Sequence, residues 1–468
     1  MKGGHKFKAF SGQAEDNLII QNLPAKVSIR LESLTPLLEV GDNVVAGQII
    51  AQNDATISSP IHASISGKIR QINDTSIIID GIDDNKAYQS LSGYAADWGT
   101  LSAQQVEELL YKSGVSGLDS DGIPTRFKSS KIAPVEVEDV IVYGVNSEAY
   151  NLSLNLLLSG DGLNKFVEGV KIFKKIMPQA NFYLALSKEN KKLVQKVKEL
   201  TASLPNVKVC ALSPKYPQEM DQIFVSTILR KKIPYGYSPA NIGVISLSIQ
   251  TVLQAAEAVI EGKPLIERIV ALSGPCVKEK AHFKVRVGMP IGEILKNRLW
   301  QEENPYRVVI NSLINGDTGE EVKDLSYPIK KNFSQIIVIP DESRRKLFSF
   351  ARPGLRSDSF SRSFASFVLP IHKWVDTNLG GEERPCIKCG YCAESCPVGI
   401  IPHLLYRQKK KVINETLIRY GAFDCVNCNL CSYVCPCKIP LAKNIKEVKE
   451  KLKKKGLKPV VAVNLKGI

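Results

Sequence analysis

The sequence predicts a multidomain chain of mixed α/β and α+β class, on three observations. Residues 26 to 80 alternate short β-branched segments with glycine turns, residues 99 to 264 alternate strand and helix periods, and eight cysteines crowd between Cys386 and Cys435. At 468 residues the chain has room for about three domains and a substantial core. Its hydrophobic content of 44% and charged content of 23% are those of an ordinary folded protein and exclude disorder on a large scale.

Taken in order, Val27 to Leu31, Glu39 to Ile50, Ile57 to Pro60 and Ile65 to Ile69 read as short strands joined by turns, which makes residues 1 to 98 a compact β domain. The pattern resembles the lipoyl-like barrel-sandwich hybrid. Carrier versions of that fold hold a cofactor on a lysine at a hairpin tip; Ala51 to Ser59 contains none, so a structural module is expected. Residues 99 to 264 follow as a Rossmann-like α/β domain with a parallel sheet. Helices are expected over Ser102 to Ser113, Leu163 to Met177 and Lys191 to Leu204, and strands over Val140 to Tyr143, Asn181 to Leu186 and Val207 to Ala211. Ile242 to Ile260 is the longest apolar stretch, but Ser246, Ser248, Gln250, Gln254 and Glu257 interrupt it. It reads as a buried strand entering an amphipathic helix and not as a membrane span.

Residues 265 to 345 return to short β segments, Glu267 to Gly274 and Phe283 to Gly288, with a helix over Ile291 to Leu295: a small α+β module. A connector over 346 to 380, serine-rich at Ser359 to Phe364, leads into a helical cysteine domain over 381 to 442. The basic tail, 443 to 468, has a weak helical period at Ile445, Val448 and Leu452, which reads as a solvated helix or as a foot on anionic lipid or an acidic partner. The start, Met1 to Phe10, has lysines but no following apolar run, so no secretory signal is expected. Net charge is +15, compatible with nucleic acid, an anionic membrane surface or an acidic protein; with no basic run interleaved with aromatics, no nucleic-acid partner is expected.

The cysteines fall into two copies of one spacing. The first is Cys386-x-x-Cys389-x-x-Cys392-x-x-x-Cys396-Pro397 and the second Cys425-x-x-Cys428-x-x-Cys431-x-x-x-Cys435-Pro436. Each [4Fe-4S] cubane takes four thiolates, three from a tight C-x-x-C-x-x-C loop and the fourth, before the proline, from the other run. The spacing therefore assigns Cys386, Cys389, Cys392 and Cys435 to one cluster, and Cys425, Cys428, Cys431 and Cys396 to the other. Zinc sites show separated C-x-x-C pairs, and disulfide scaffolds spread their cysteines through short secreted chains; neither fits. Clusters imply a reducing compartment. Cys210, Cys276 and Cys437 are left over, the first two expected to be buried inert thiols.

Beyond spacing, several segments together resemble the RnfC family of the Rnf complex along nearly the whole chain: Gly3-Gly4-His5, Val40 to Gln48, Ser59 to Gly67, Tyr216-Pro-Gln218, Pro264 to Arg268 and both cysteine runs. Leu347 to Gly354, Phe360 to Phe364 and Leu379 to Pro385 also look like NqrA, a component of the Na⁺-translocating NADH:quinone reductase. The resemblance implies a peripheral subunit on the cytoplasmic face of the cell membrane, docked on membrane subunits of an Rnf/Nqr-like complex that exchanges electrons between NADH and ferredoxin. It also implies a middle domain like the flavin-bearing subunit of complex I, a β-grasp module of soluble-ligand-binding type after it, and a ferredoxin-like domain with two clusters.

One loop departs from the family pattern G-x-G-G-A-G-F-P-T. Gly117, Gly122, Pro124, Thr125 and Lys128 match it, but Asp119, Ser120 and Asp121 stand at its centre. Those glycines let backbone N–H groups approach phosphate. A carboxylate about 4 Å from a phosphate charge costs on the order of 4 kcal/mol even at an effective dielectric near 20, close to a thousandfold in affinity. The family's E-C-E-P-Y segment is reduced to Asn146-Ser-Glu148-Ala-Tyr150. The cofactor-binding candidates are thus Gly117, Gly122, Pro124, Thr125, Lys128 and Glu148, in a domain expected to bind FMN or NADH poorly or not at all.

Three functions follow. The first is an electron-transfer subunit relaying through two [4Fe-4S] clusters, with Lys388, Lys438 and the basic tail favouring ferredoxin or flavodoxin as redox partner. The second is an NADH-oxidising flavin enzyme as in RnfC. The third is an assembly scaffold with structural clusters.

Overall fold

The computed structural model describes residues 3–7, 10–53, 59–82, 87–115, 136–300, 305–315, 319–341, 360, 373–377, 382–409 and 415–457. The chain is a multidomain α/β protein, and each of its sheets follows from the periodicity of its segments. Val27, Ile29, Ile69, Ile77 and Ile79 alternate along their strands with less buried neighbours, and they fill one core with Ile50, Ile61 and Ile65. Around that core lie an antiparallel four-stranded sheet (Lys26–Arg30, Ser76–Gly81, Gly67–Ile72, Asn43–Val44) and an antiparallel three-stranded one (Thr35–Pro36, Ile49–Gln52, Ile61–His62). Residues 54–58 of the lysine-free segment lie outside the described residues.

The middle domain carries a parallel sheet in the order Val207–Leu212, Asn181–Ser187, Asp139–Gly144, Val244–Ser248. These strands are apolar on both faces because helices cover both. Val140, Val142, Leu184 and Leu247 pack against the helices Gly162–Ile176 and Ile249–Ile260, while Ile141, Ala185 and Val244 pack against Phe224 and Val225 of Asp221–Leu229. From Asp139–Gly144 the chain first winds to one side, and later returns to lay Val244–Ser248 on the other. Such a reversal opens a crevice at the carboxyl ends of the two strands. The apolar stretch from 242 is the expected strand running into a helix. Among the described residues no helix is long and apolar enough to cross a membrane.

The third module is a six-stranded mixed sheet in the order Leu18–Ile20, Ala281–Arg286, Glu267–Ser273, Gln335–Pro340, Tyr306–Ile310, Glu320–Val322, with the short helix Ile291–Leu295. One edge strand comes from far upstream: Leu18–Ile20 pairs in parallel with His282 to Lys284. Glu267 meets Lys263 and Lys284, while the wholly buried Arg268 donates from its guanidinium to Oε1 of Gln254 (2.5 Å) and Gln250 (3.1 Å), tying this sheet to the helix behind the crevice.

The cysteine domain is built of short helices, and here the structure corrects the sequence. The tail helix is not solvated. It runs Leu441–Lys454 and buries Leu441, Ile445, Val448 and Leu452 against Cys396, Leu405, Leu417 and Phe423 or their neighbours, which makes it part of the cysteine domain. Each such aliphatic side chain contributes about 2 kcal/mol by burial. The weak period hides this because a lysine stands next to each of Ile445, Val448 and Leu452. Most of the connector, and residues 458–468, lie outside the described residues.

Candidate functional site: two cysteine loops beside a cavity

The duplicated spacing folds into a duplicated backbone. Lys388 and Gly390 in the first run, and Asn427 and Asn429 in the second, all have left-handed φ (58°, 82°, 56° and 58°). Glycine and asparagine enter that region at low cost, and the alternation curls each C-x-x-C-x-x-C loop so that its thiols share a side. A single helical turn follows each loop, Tyr391–Glu394 and Leu430–Tyr433, and carries the third cysteine into the interior. After each Cys-Pro the chain turns left-handed again, at Gly399 (φ 76°) and Lys438 (φ 54°).

This fold brings together cysteines from different runs. Cys386, Cys389, Cys392, Cys435 and the left-over Cys437 line one small hollow with Gly390 and His403. Burial pushes the Cys392 thiol up to about 11, the His403 backbone opposing this, and the charges of Cys435, Cys389 and Cys386 add to the rise. Nδ1 of His403 lies 3.6 Å from the Cys392 sulfur. In the second group, burial raises Cys428 and Cys431, and both feel Cys425 and Cys396. Thiols held this way stay protonated unless a cation draws the proton off. Among the described residues no three His, Cys, Asp or Glu side chains converge on an ion-sized point. A soft set of thiols suits iron–sulfur chemistry.

Three features pin these loops, and spacing revealed none of them. The N-terminal Gly3-Gly4-His5 passes tightly across the first run: Gly4 N–H donates to Ser395 C=O (2.8 Å), and a Cβ on Gly3, whose φ is +61°, would lie 2.5 Å from the Cys396 carbonyl oxygen. Tyr216 hydroxyl donates to Cys428 C=O (2.6 Å). Asn429 Nδ2 donates to Ile314 C=O (2.8 Å), so the third module holds the second loop. Lys438 is only 5% exposed and so cannot present its charge to a carrier, contrary to expectation; Lys388 is exposed, beside Ile387 at 67%.

The crevice at the sheet's carboxyl edge widens into a cavity of about 1230 Å³ that runs from Gly144 and Gln250 past Tyr216 and Tyr235 to Cys425. Of the nucleotide-site candidates, Gly117, Gly122, Pro124, Thr125 and Lys128 lie outside the described residues, as do Asp119 and Asp121. Glu148 lines the cavity, accepting from the Ser312 hydroxyl and from Ile314 N–H (3.3 Å), and burial pushes its carboxyl up to about 7. Glu219 is the residue that sequence reasoning missed. Its carboxylate accepts from the N–H groups of Val145 (3.1 Å), Asn146 (2.8 Å) and Ser147 (3.0 Å), and from the Ser147 hydroxyl (3.2 Å). Three converging N–H donors beyond a strand's carboxyl end form an anion cradle, and an internal anion fills it. Its only signal was its place next to Tyr216-Pro-Gln218, far along the chain from its partners.

Three family models match successive segments: an RnfC barrel-sandwich hybrid domain at residues 3–81, a Nuo51 FMN-binding domain at 110–257 and a 4Fe-4S dicluster domain at 385–439. The C subunit of the ion-translocating oxidoreductase complex of Buchnera aphidicola is 26% identical over 425 residues, 89% of this chain and 81% of that protein. The C subunit of the proton-translocating ferredoxin:NAD(+) oxidoreductase complex of Clostridium ljungdahlii is 25% identical over 86% of this chain and 83% of its own length. The corresponding protein of Pasteurella multocida, 26% identical, is longer, and the match spans 46% of it. Among solved structures, an NAD+-reducing [NiFe]-hydrogenase in the H2-reduced state aligns with 78% of this chain and 63% of its own, at 11% identity and a TM-score of 0.47. Over most of its length, therefore, the chain resembles RnfC, the C subunit of ion-translocating oxidoreductase complexes.

Proposed function

We propose that this chain is an iron–sulfur electron-transfer subunit of a membrane-bound ion-translocating oxidoreductase, relaying electrons through two [4Fe-4S] clusters. The observation that carries the reading is the crossing of the runs: the hollow beside Cys386, Cys389 and Cys392 is completed by Cys435 of the other run. Cys425, Cys428 and Cys431 would take Cys396 in the same way. When bound, the clusters supply one-electron exchange; the chain supplies their positions, their shielding from water and the hydrogen bonds that hold the loops. The exposed Ile387, Lys388 and Cys389 make the first loop the port for a one-electron carrier, and Lys388 suits an acidic one such as ferredoxin or flavodoxin. Membrane subunits of an Rnf-like complex, met at the cytoplasmic face, are the remaining partners in this reading.

A second reading, NADH oxidation at a flavin, draws support from the cavity at the sheet's carboxyl edge and from the FMN-binding domain match. The described residues fit a nucleotide poorly. The N–H cradle at the end of Asp139–Gly144 is taken by Glu219. We therefore read the domain as one that keeps its fold to position the cysteines while the nucleotide site is degenerate.

Anaerobic redox titration of the iron- and sulfide-loaded protein tests the relay. Two paramagnetic signals that appear on reduction and vanish on reoxidation, over repeated cycles, are expected. Clusters that cannot be cycled would make the protein a scaffold.

A further inference from the structure

Lys449 lies in the middle of the helix Leu441–Lys454, yet it is only 3% exposed. Burying an ammonium group is costly unless its donors are satisfied. Its Nζ donates to Cys425 C=O (2.6 Å) and to Asn427 Oδ1 (2.9 Å), both within the second cysteine loop. The Asn427 oxygen lies in turn 3.9 Å from the Cys425 sulfur. The ring of Tyr235, reaching in from the middle domain, takes the cation on its face at 5.2 Å and stacks at a tilt on Phe423 at 4.8 Å. A positive charge is thus fixed beside one cysteine loop, buried under the Tyr235 ring at the wall of the cavity.

We infer that Lys449 is the positioning residue that sets the reduction potential of the cluster held by Cys425, Cys428, Cys431 and Cys396, holding it above the value the thiolates alone would give. Reduction adds one electron and one negative charge to that cluster, drawn from the external carrier, with no bond made or broken and no proton moved. A buried cation nearby stabilises the reduced form over the oxidised one, and charge, hydrogen bonding and burial are the protein's means of setting such potentials. The effect belongs to one cluster because the contacts of Lys449 go to its loop, while Cys386, Cys389, Cys392 and Cys435 line a separate hollow.

The inference rests on the proposed ligand set, and its test separates the two. Iron and sulfide content of the loaded wild type addresses the ligands; spectroscopic redox titration of Lys449→Gln and Lys449→Arg addresses the lysine. Full chains carrying Cys435→Ala, which leaves the second cluster alone in the protein, give an unmixed signal. Lys449→Gln is expected to lower the equilibrium constant for reducing that cluster at least tenfold, a shift of about 59 mV to lower potential for a one-electron couple. Lys449→Arg, which keeps the charge, stays near the wild type. An unmoved potential in a fully loaded Lys449→Gln would overturn the inference. So would loss of the cluster from Lys449→Gln with retention in Lys449→Arg, since the lysine would then be a structural pin.

Discussion

Cys435→Ala is expected to remove the cluster of the first run, although Cys435 stands in the second. The prediction separates crossed ligation from two self-contained loops. If each run wrapped its own cluster, losing Cys435 would strip Cys425, Cys428 and Cys431 of their fourth thiolate. In the crossed arrangement it opens the hollow of Cys386, Cys389 and Cys392. Cys392 feels Cys435, while Cys428 and Cys431 feel Cys396. Iron and sulfide should fall by roughly half, because a cubane deprived of its fourth thiolate no longer has a complete ligand set and is released whole. The surviving signal should disappear in Cys396→Ala and persist in Cys386→Ala. The reverse pairing would contradict the crossing.

The second large effect is a pH-dependent stability that Glu148→Gln abolishes. Burial raises the Glu148 carboxyl from an ordinary value of 4.5 to about 7, while the Ser312 hydroxyl and the N–H of Ile314 oppose the rise and the charge of Glu219 adds to it. Between those two values the folded chain keeps a proton that the unfolded chain has released. Stability therefore declines as pH rises through that window and is level above it, the cost approaching about 3 kcal/mol at most. A glutamine keeps an oxygen for Ser312 and Ile314 and cannot ionise. Its thermal midpoint should match the wild type near pH 5 and exceed it by several degrees at pH 8. The effect also reaches the second cysteine loop, since the Ile314 that Glu148 holds is the acceptor for Asn429. Parallel pH profiles for the two proteins would show that Glu148 is solvated and carries no such constraint.

Much of this molecule was legible in sequence because local rules sufficed. Period two with turn glycines marked the first β unit, alternating periods marked the middle domain, and the doubled spacing marked both loops before their left-handed Lys388, Gly390, Asn427 and Asn429 were known. What spacing hid depends on long-range pairing. Leu18–Ile20 joins a sheet whose other strands begin at Glu267, Gly3 passes over Cys396, and Glu219 closes on Val145. Lys438 reads in sequence as a docking charge and Lys449 as one lysine of a basic tail, since a side chain's own neighbours in sequence do not reveal what packs over it. The docked helix was misread for the same reason.

In the proposed reading the cysteine loops, and not the nucleotide domain, are the redox centre of this chain, and Glu219 in the N–H cradle supports that reading. Anaerobic addition of NADH to the oxidised, cluster-loaded protein, followed by the visible absorbance of the clusters, tests it most directly. NADH is expected to leave the absorbance unchanged, with or without added FMN, while a low-potential chemical reductant bleaches it at once. Bleaching by NADH alone would contradict it.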